Sequence, residues 1–260
     1  KSSVRLIKVP DDRAGQRLDN FLLRELKGAP RSLVYKLVRS GQVAAAVLVQ
    51  TGTEWRLLNT ADAQGAAQAL ALDAALTWTA VQVQAAPAVE VNGALDVRTL
   101  QASVVAAQMA GALSSVFQRS LQYANERQQF GRPIGKFQAI QHQLAVMSEH
   151  VFAARMAAQL GCSAGHDGMG VVPDRLRVAT AKARCSEAAL VVSELAHAIH
   201  GAIGFTEEYD LQLFTRRLHA WRQTAGSEAY WYGVAGEALL HHQGMTLDIV
   251  RRITDVDAVL

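Results

Sequence analysis

The rhythm of hydrophobic and polar positions changes twice along the chain. Near the start, "VRLIKVP" alternates as a short strand does, and "RLDNFLLRELKG" and "RSLVYKLVRSG" follow the three-and-four spacing of short amphipathic helices, parted by "GAP". From Ala44 to about Pro87 the period is two: "AAVLVQTG", "EWRLLNTA" and "LTWTAVQVQA" predict strands, with turn signals at Gly52 and between Asp62 and Gly65. From Asp96 onward the period is helical and predicts helices over about 98–127, 137–165, 174–200, 207–222 and 227–242, each long enough to cross a bundle. The joints between them carry Gly131, Pro133, Gly168, Gly170, Pro173, Gly201 and Gly204. The predicted architecture is mainly α. An antiparallel helical bundle at 96–245, followed by a tail at 246–260, is preceded by a partial β domain at 44–95 and a short basic helical arm at 1–43.

Composition adds bounds to this outline. A chain of 260 residues that is 50% hydrophobic with only 5 prolines can bury a sizeable core in one domain or two. Its net charge of +3 is unevenly spread, because up to Val43 basic residues such as Arg17, Arg31, Lys36 and Arg39 outnumber the acids and the remainder is net acidic. Cys162 and Cys185 lie far apart without paired spacing, which argues for buried thiols over a disulfide framework or a zinc knuckle. Weakly polar runs such as "VVAAQMAGALSSVF" at 104–117 fall short of a membrane span, and no charged-then-apolar leader opens the sequence. The expectation is a cytoplasmic chain without a span.

Two stretches carry candidate chemistry. In "NERQQFGRPIGKFQAIQHQLA" at 125–145, a glycine past a helix, a proline soon after and a basic last turn are how helices stop, so Arg127, Gly131 and Pro133 need no further explanation. Phe130 does. So does a restart with Gln138, Gln141 and His142, where a bundle helix would place leucine. In "AIHGAIGFTEEYD" at 198–210 a helix ends at Gly201, Gly204 permits unusual backbone, and Thr206 with Glu207 and Glu208 predicts the cap and first turn of a new helix, whose N–H groups could meet an anion. His197 and His200 could be read as metal ligands, but spacing supplies no carboxylate partner, so no metal is expected. His241 and His242 suit a helix end, and Trp221, Trp231 and Tyr232 suit a core or a subunit interface.

Taken in this order and spacing, "YANERQQFGRPIGKFQAIQHQLAVM", "AAR" at 153–155 and "AIHGAIGFTEEYDLQLFTRR" resemble the C-terminal helical domain of the acyl-CoA dehydrogenases. The resemblance runs over roughly 47–242, with "DVRTLQASVVAAQMAGALSSVFQRSL" as the domain's first helix and "VLVQTG" to "VQVQAAPAVEV" as later strands of the family's β domain. It implies FAD as cofactor, α,β-dehydrogenation of an acyl-CoA thioester as the parent reaction, a dimer or tetramer, and electron-transfer flavoprotein as electron acceptor. Arg127, at the pyrophosphate, and Phe130 would then meet the FAD of a neighbouring subunit, with Gln138 by the adenosine half. His200, Gly201 and Gly204 from the other subunit would hold the diphosphate, followed by Thr206.

The sequence also departs from the family. The reaction needs a carboxylate beside the thioester to take the α-proton. The two places where the family puts it carry Ala225 and Gln101, and Ala198 replaces the usual glutamine before the glycine turn. Asp96 and Glu228 are displaced candidates expected to face solvent. The family's N-terminal helical domain and flavin-covering strands find no counterpart here, so impaired or absent catalysis by this chain alone is expected. In their place, "DDRAGQRLDNFLLRELKGAPRSLVYKLVRSGQV" resembles the small RNA-binding module of ribosomal large-subunit pseudouridine synthases, truncated at Val43. That resemblance implies RNA contacts through Arg17, Arg31, Ser32, Tyr35, Lys36 and Arg39. Two further readings stay open: a non-catalytic FAD-binding subunit of a heteromeric dehydrogenase, and an RNA-binding protein with a helical oligomerisation scaffold.

Overall fold

The structure, a computed structural model, describes residues 46–51, 54–67, 74–89, 96–163 and 173–254. The basic arm and its RNA-contact candidates lie outside these residues. The chain divides into two compact units between Ala94 and Leu95.

In the first unit, β1 (Ala46–Thr51) and β2 (Glu54–Asn59) pair antiparallel from Ala46 opposite Asn59 to Thr51 opposite Glu54. The same β2 pairs on its other edge with β5 (Ala88–Val89), while β3 (Gln64–Ala67) and β4 (Ala74–Thr77) form a separate ribbon. Only part of the predicted strand 76–85 exists. Residues Ala80–Ala85 are a helix, α1, because Thr79 accepts from the Gln82 N–H and the Gln82 side chain accepts from the Thr79 N–H. That capping box nucleates a turn and overrides the alternation of Val81 and Val83. Arg56 secures the layer by donating to the carbonyls of Gln84 and Ala86 at 2.7 and 2.9 Å.

The second unit is a bundle of α2 (Val97–Glu126), α3 (Gln138–Gly161), α4 (Arg175–His200), α5 (Leu211–Gln223) and α6 (Glu228–His241). Aspartates open two of them: Asp96 accepts from the Arg98 and Thr99 N–H groups, and Asp174 from that of Arg177. Consecutive long helices are antiparallel. Cys162, just past α3, donates to Ser103 near the start of α2, and Lys182 in the first half of α4 reaches Arg222 at the end of α5. It follows that α2 and α4 run parallel, with Cys185 Sγ bonded to Ala106 O and Tyr123 beside His200. Their shared core holds Met109, Leu113, Val116, Met147, Val151, Val192, Leu211 and Leu218. By length and composition α2 and the stretch Arg175–Phe205 could each cross a membrane, contrary to the expectation from sequence, but about half of each apolar window is buried within the bundle.

The expected tail at 246–260 is also corrected in part, since Thr246–Thr254 forms a further helix, α7. Its Ile249 is buried, Arg252 pairs with Asp174, and the Arg252 carbonyl accepts from the buried Arg177 guanidinium. Leu247, Ile249, Val250 and Ile253 were the available signal, but nine residues seldom hold a helix without tertiary contacts.

Candidate functional site

The end of α2 answers why Phe130 stands where it does. The Arg127 N–H closes the last turn on Tyr123 O at 2.8 Å, and the chain then folds into a two-residue hairpin in which Gln128 faces Pro133 and Gln129 faces Arg132. Both residues at its tip have positive φ, 53° at Phe130 and 78° at Gly131, as the tightest hairpin turns demand. Glycine takes this backbone easily, whereas phenylalanine does so at a cost. The strain lifts the Phe130 ring to 90% exposure, edge-on to Phe137 at 6.0 Å. Such an arrangement has no evident benefit to folding.

At the end of α4, Gly201 takes φ 63° and ψ −145°, a conformation essentially reserved for glycine, with open space where a Cβ would stand. His200 before it stacks on Tyr123 with ring centroids 4.4 Å apart. Its Nδ1 is 2.7 Å from Ala196 O, which can only accept, so Nδ1 carries the proton and Nε2 presents a lone pair. That lone pair is buried and has no partner among the described residues. Burial also pushes the His200 pKa below 6.5, keeping the ring neutral near pH 7.

The hairpin and this glycine turn meet in one cleft of about 570 Å³, lined by Tyr123, Arg127, Phe130, Phe137, His200 and Gly201 among others. Because α2 and α4 run parallel, their C-terminal ends converge and bring Arg127 and Phe130 beside His200 and Gly201 within a single chain. Arg127 is exposed, and its guanidinium has no ion-pair partner among the described residues. Ala198 lines the same cleft. Gln138 is exposed at the first position of α3, next to Phe137. Gly204 is buried, and an added Cβ would come within 3.1 Å of the His200 Cβ, so close packing explains it.

Thr206 does not cap a helix. Residues Gly201–Phe205 form a 3-10 turn, the Thr206 hydroxyl donates back to Ile203 O at 2.9 Å, and α5 begins only at Leu211. The expected helix start at 206–208 is therefore absent, as is the anion site it would have made. His197 stacks on Phe205 and bonds Thr215 at 2.9 Å, and no group of three or more metal-ligating side chains occurs among the described residues.

The corner between α5 and α6 holds Ala225 at φ 59° and Gly226 at φ 110°. It is tied from three sides. The Lys182 ammonium, fully buried, donates to Arg222 O and Gly226 O at 3.0 Å each and to Ser186 Oγ at 3.1 Å, while the Trp231 indole donates to Ala225 O at 3.1 Å. Gln101 is exposed on α2, and its neighbour Ala102 packs in the same cluster as Ala225 and Trp231. Neither displaced carboxylate is idle or simply solvent-facing. Asp96 caps α2 and pairs with Arg175, and Glu228 makes a two-point pair with Arg222 at 2.7 and 3.2 Å. Tyr123, Phe137 and Lys182 were missed in the sequence. Tyr123 stands one turn before Arg127, the one positional hint, whereas Lys182 looks like any lysine on an alanine-rich helix.

Residues 99–240, more than half of the chain, match the family described as acyl-CoA dehydrogenase, C-terminal domain. This chain belongs to the acyl-CoA dehydrogenase family. Acyl-CoA dehydrogenase IpdE2 of Mycolicibacterium smegmatis is 37% identical over 125 residues, covering 48% of this chain and 38% of that protein. The ChsE4-ChsE5 complex from Mycobacterium tuberculosis contains a chain of the same fold, with a TM-score of 0.60 at 24% identity, covering 79% of this chain and 58% of the other. A short segment is similar to ribosomal large subunit pseudouridine synthase C of Haemophilus ducreyi, 57% identical over 42 residues that cover 16% of this chain and 13% of that protein. The chain spans roughly a third of the length of the curated dehydrogenases it matches.

Proposed function

We propose that this chain holds the nucleotide end of FAD in an acyl-CoA dehydrogenase assembly, as a subunit that does not itself supply the base for α-proton removal. The single observation that carries the reading is the cleft in which a strained, exposed Phe130 and the unpaired Arg127 stand beside the His200–Gly201 turn. Its donors and acceptors suit a dinucleotide: a guanidinium for the pyrophosphate, the orphaned His200 Nε2 for a sugar hydroxyl, and aromatic edges for apolar surface. Bound FAD would supply the acceptor for the β-hydride. This chain's residues bind and orient it, with Gln138 placed towards the adenosine half.

The base is another matter. Gln101 and Ala225 cannot take a proton at neutral pH, and Asp96 and Glu228 are held in ion pairs, so general-base help of about 10²–10⁴-fold is lost. Likeness to a chain of a two-component complex favours a partner that provides the carboxylate. A homo-oligomer and electron-transfer flavoprotein as electron acceptor are the corresponding family expectations. The purified protein should bind ADP and FAD, and Arg127→Ala should weaken both by about tenfold or more, the value of a charge-assisted hydrogen bond. Calorimetric titration checks this; equal binding by the variant would overturn the cleft assignment. With FAD loaded, no substrate-dependent flavin bleaching is expected on rapid anaerobic mixing with acyl-CoAs.

A second reading adds RNA contact through the basic arm, favoured by the similarity to pseudouridine synthase C. Arg31→Glu with Lys36→Glu should then weaken binding to structured RNA and flatten its salt dependence. Binding that the double variant leaves unchanged rejects it.

A further inference from the structure

At the opposite end of α2 from the hairpin, a cluster of side chains remains without a task. Arg98 and Arg175 occupy the first turns of α2 and α4, where the helix dipole disfavours cations. Arg175 pairs with Asp96, donates to Thr99 Oγ1 at 3.1 Å and donates to the Tyr230 hydroxyl oxygen at 2.9 Å. The Arg98 guanidinium lies over the Tyr230 ring, 4.9 Å from its centroid. Among the described residues Asp96 is the one carboxylate in the cluster, and both its oxygens are taken: Oδ1 by the Arg98 and Thr99 N–H groups, Oδ2 by the Thr99 hydroxyl and Arg175. Glu228, on the same helix as Tyr230, is paired with Arg222.

Two guanidiniums against one saturated carboxylate leave an excess positive charge. Arg98 is exposed, and the Tyr230 hydroxyl lies open. The phenol oxygen accepts from the cationic Arg175, while its own hydrogen has no acceptor among the described residues. A hydroxyl polarised in this way is a stronger donor than an ordinary phenol. The cluster therefore presents an O–H and a guanidinium N–H side by side, with nothing anionic among the described residues left to receive them. It also adjoins the α5–α6 corner: Ala102, one turn on from Arg98, packs with Ala225, Tyr230 and Trp231.

We infer that Arg98 and Tyr230 form a docking point for an oxyanion carried by an acyl thioester, either a carboxylate at the far end of its acyl chain or a phosphate of its CoA. This assignment rests on the acyl-CoA dehydrogenase reading of the chain. The oxyanion accepts from Arg98 and from the Tyr230 hydroxyl, while Arg175, anchored by Asp96 and Thr99, holds and polarises the phenol. Arg175 is a positioning residue, and Arg98 and Tyr230 are the binding groups.

Calorimetric titration of the full chain with glutaryl-CoA, butyryl-CoA, CoA and inorganic phosphate tests the inference, comparing the protein with its Arg98→Gln and Tyr230→Phe variants after circular dichroism confirms their fold. If the oxyanion is an acyl carboxylate, glutaryl-CoA binds about tenfold or more tighter than butyryl-CoA, and each variant narrows that gap. If it is a phosphate of CoA, the two thioesters and CoA itself bind alike and all weaken together in both variants. Acyl-CoA binding that neither variant alters overturns the docking point and leaves the acyl-CoA reading standing. Phosphate binding that depends on Arg98, without any acyl-CoA binding, keeps the docking point and rejects the acyl-CoA reading. Absence of all binding rejects both.

Discussion

Lys182 carries its ammonium group into the fully buried space behind the α5–α6 corner, where three oxygens and no carboxylate receive it. Burial holds its pKa at about 8, against 10.5 for an exposed lysine, with Glu228 and Cys185 opposing that effect and Arg222 adding to it. The sign of the consequence follows from proton counting: between pH about 8 and about 10.5 the unfolded chain binds more protons than the folded one, so stability rises with pH across that window. The gain should reach about 3 kcal/mol at most, because each pKa unit is worth about 1.4 kcal/mol. Chemical denaturation at pH 8, 9 and 10 checks this against Lys182→Met, which should lack the increment. At pH 7 the same variant should be less stable than the parent by about 1–3 kcal/mol, since it strips the donor from two half-buried carbonyls, those of Arg222 and Gly226. Equal pH slopes in the two proteins would place the titration on other groups.

At the level of elements, Gly161 marks a tight approach between α3 and α4. A Cβ added at Gly161 would stand 2.6 Å from the Ala181 Cβ and 3.4 Å from the Arg177 carbonyl, so the two backbones meet through hydrogen and methyl alone. Gly161→Ala should cost about 1–3 kcal/mol in urea unfolding, as overpacked cores do. Gly111, inside α2 with open space at its Cβ position, provides the contrast. There the same substitution should stabilise by roughly 0.5–1 kcal/mol, because alanine loses less backbone freedom on entering a helix. Two helical glycines thus have opposite predicted effects, decided by what lies across from each.

On the scale of the whole molecule, the bundle leaves large apolar side chains uncovered. Phe152 and Met156 on α3 are each 57% exposed, Leu240 near the end of α6 is 85% exposed, and Met245 is 66% exposed. Phe152 and Met156 stand one turn apart on the same face of α3, and exposed apolar patches mark surfaces that associate. Light scattering at micromolar concentration should find a dimer or a tetramer, as a closed symmetric assembly requires. This expectation rests on the uncovered surface and is independent of the cleft, whose lining residues lie within one chain. A monodisperse monomer would therefore reject the oligomer and leave the cleft intact.

How far the sequence reached depended on the range of the interactions concerned. The helices over 97–126, 138–161, 175–200 and 228–241 were legible within a few residues at each end, because periodicity, aspartate caps and glycine stops act within a few positions of one another. Arg127, Phe130, His200 and Gly201 could be singled out from the order and spacing of their motifs. The exceptions were settled by local bonds or distant contacts that pattern does not encode: the Thr79 capping box turned an alternating stretch into α1, the Thr206 hydroxyl turned back to Ile203 instead of opening a helix, and α7 formed against Arg177 and Asp174. Only the tertiary structure could decide that α2 and α4 run parallel. That single fact brings Tyr123 onto His200 and gathers the hairpin and the glycine turn in one cleft, and at the other end it brings Arg98 over the ring of Tyr230 and Arg175 to its hydroxyl. Residues some 75 positions apart in sequence meet there because helices pack by their faces, and sequence spacing within a helix records which face a residue occupies but not which neighbour that face will find.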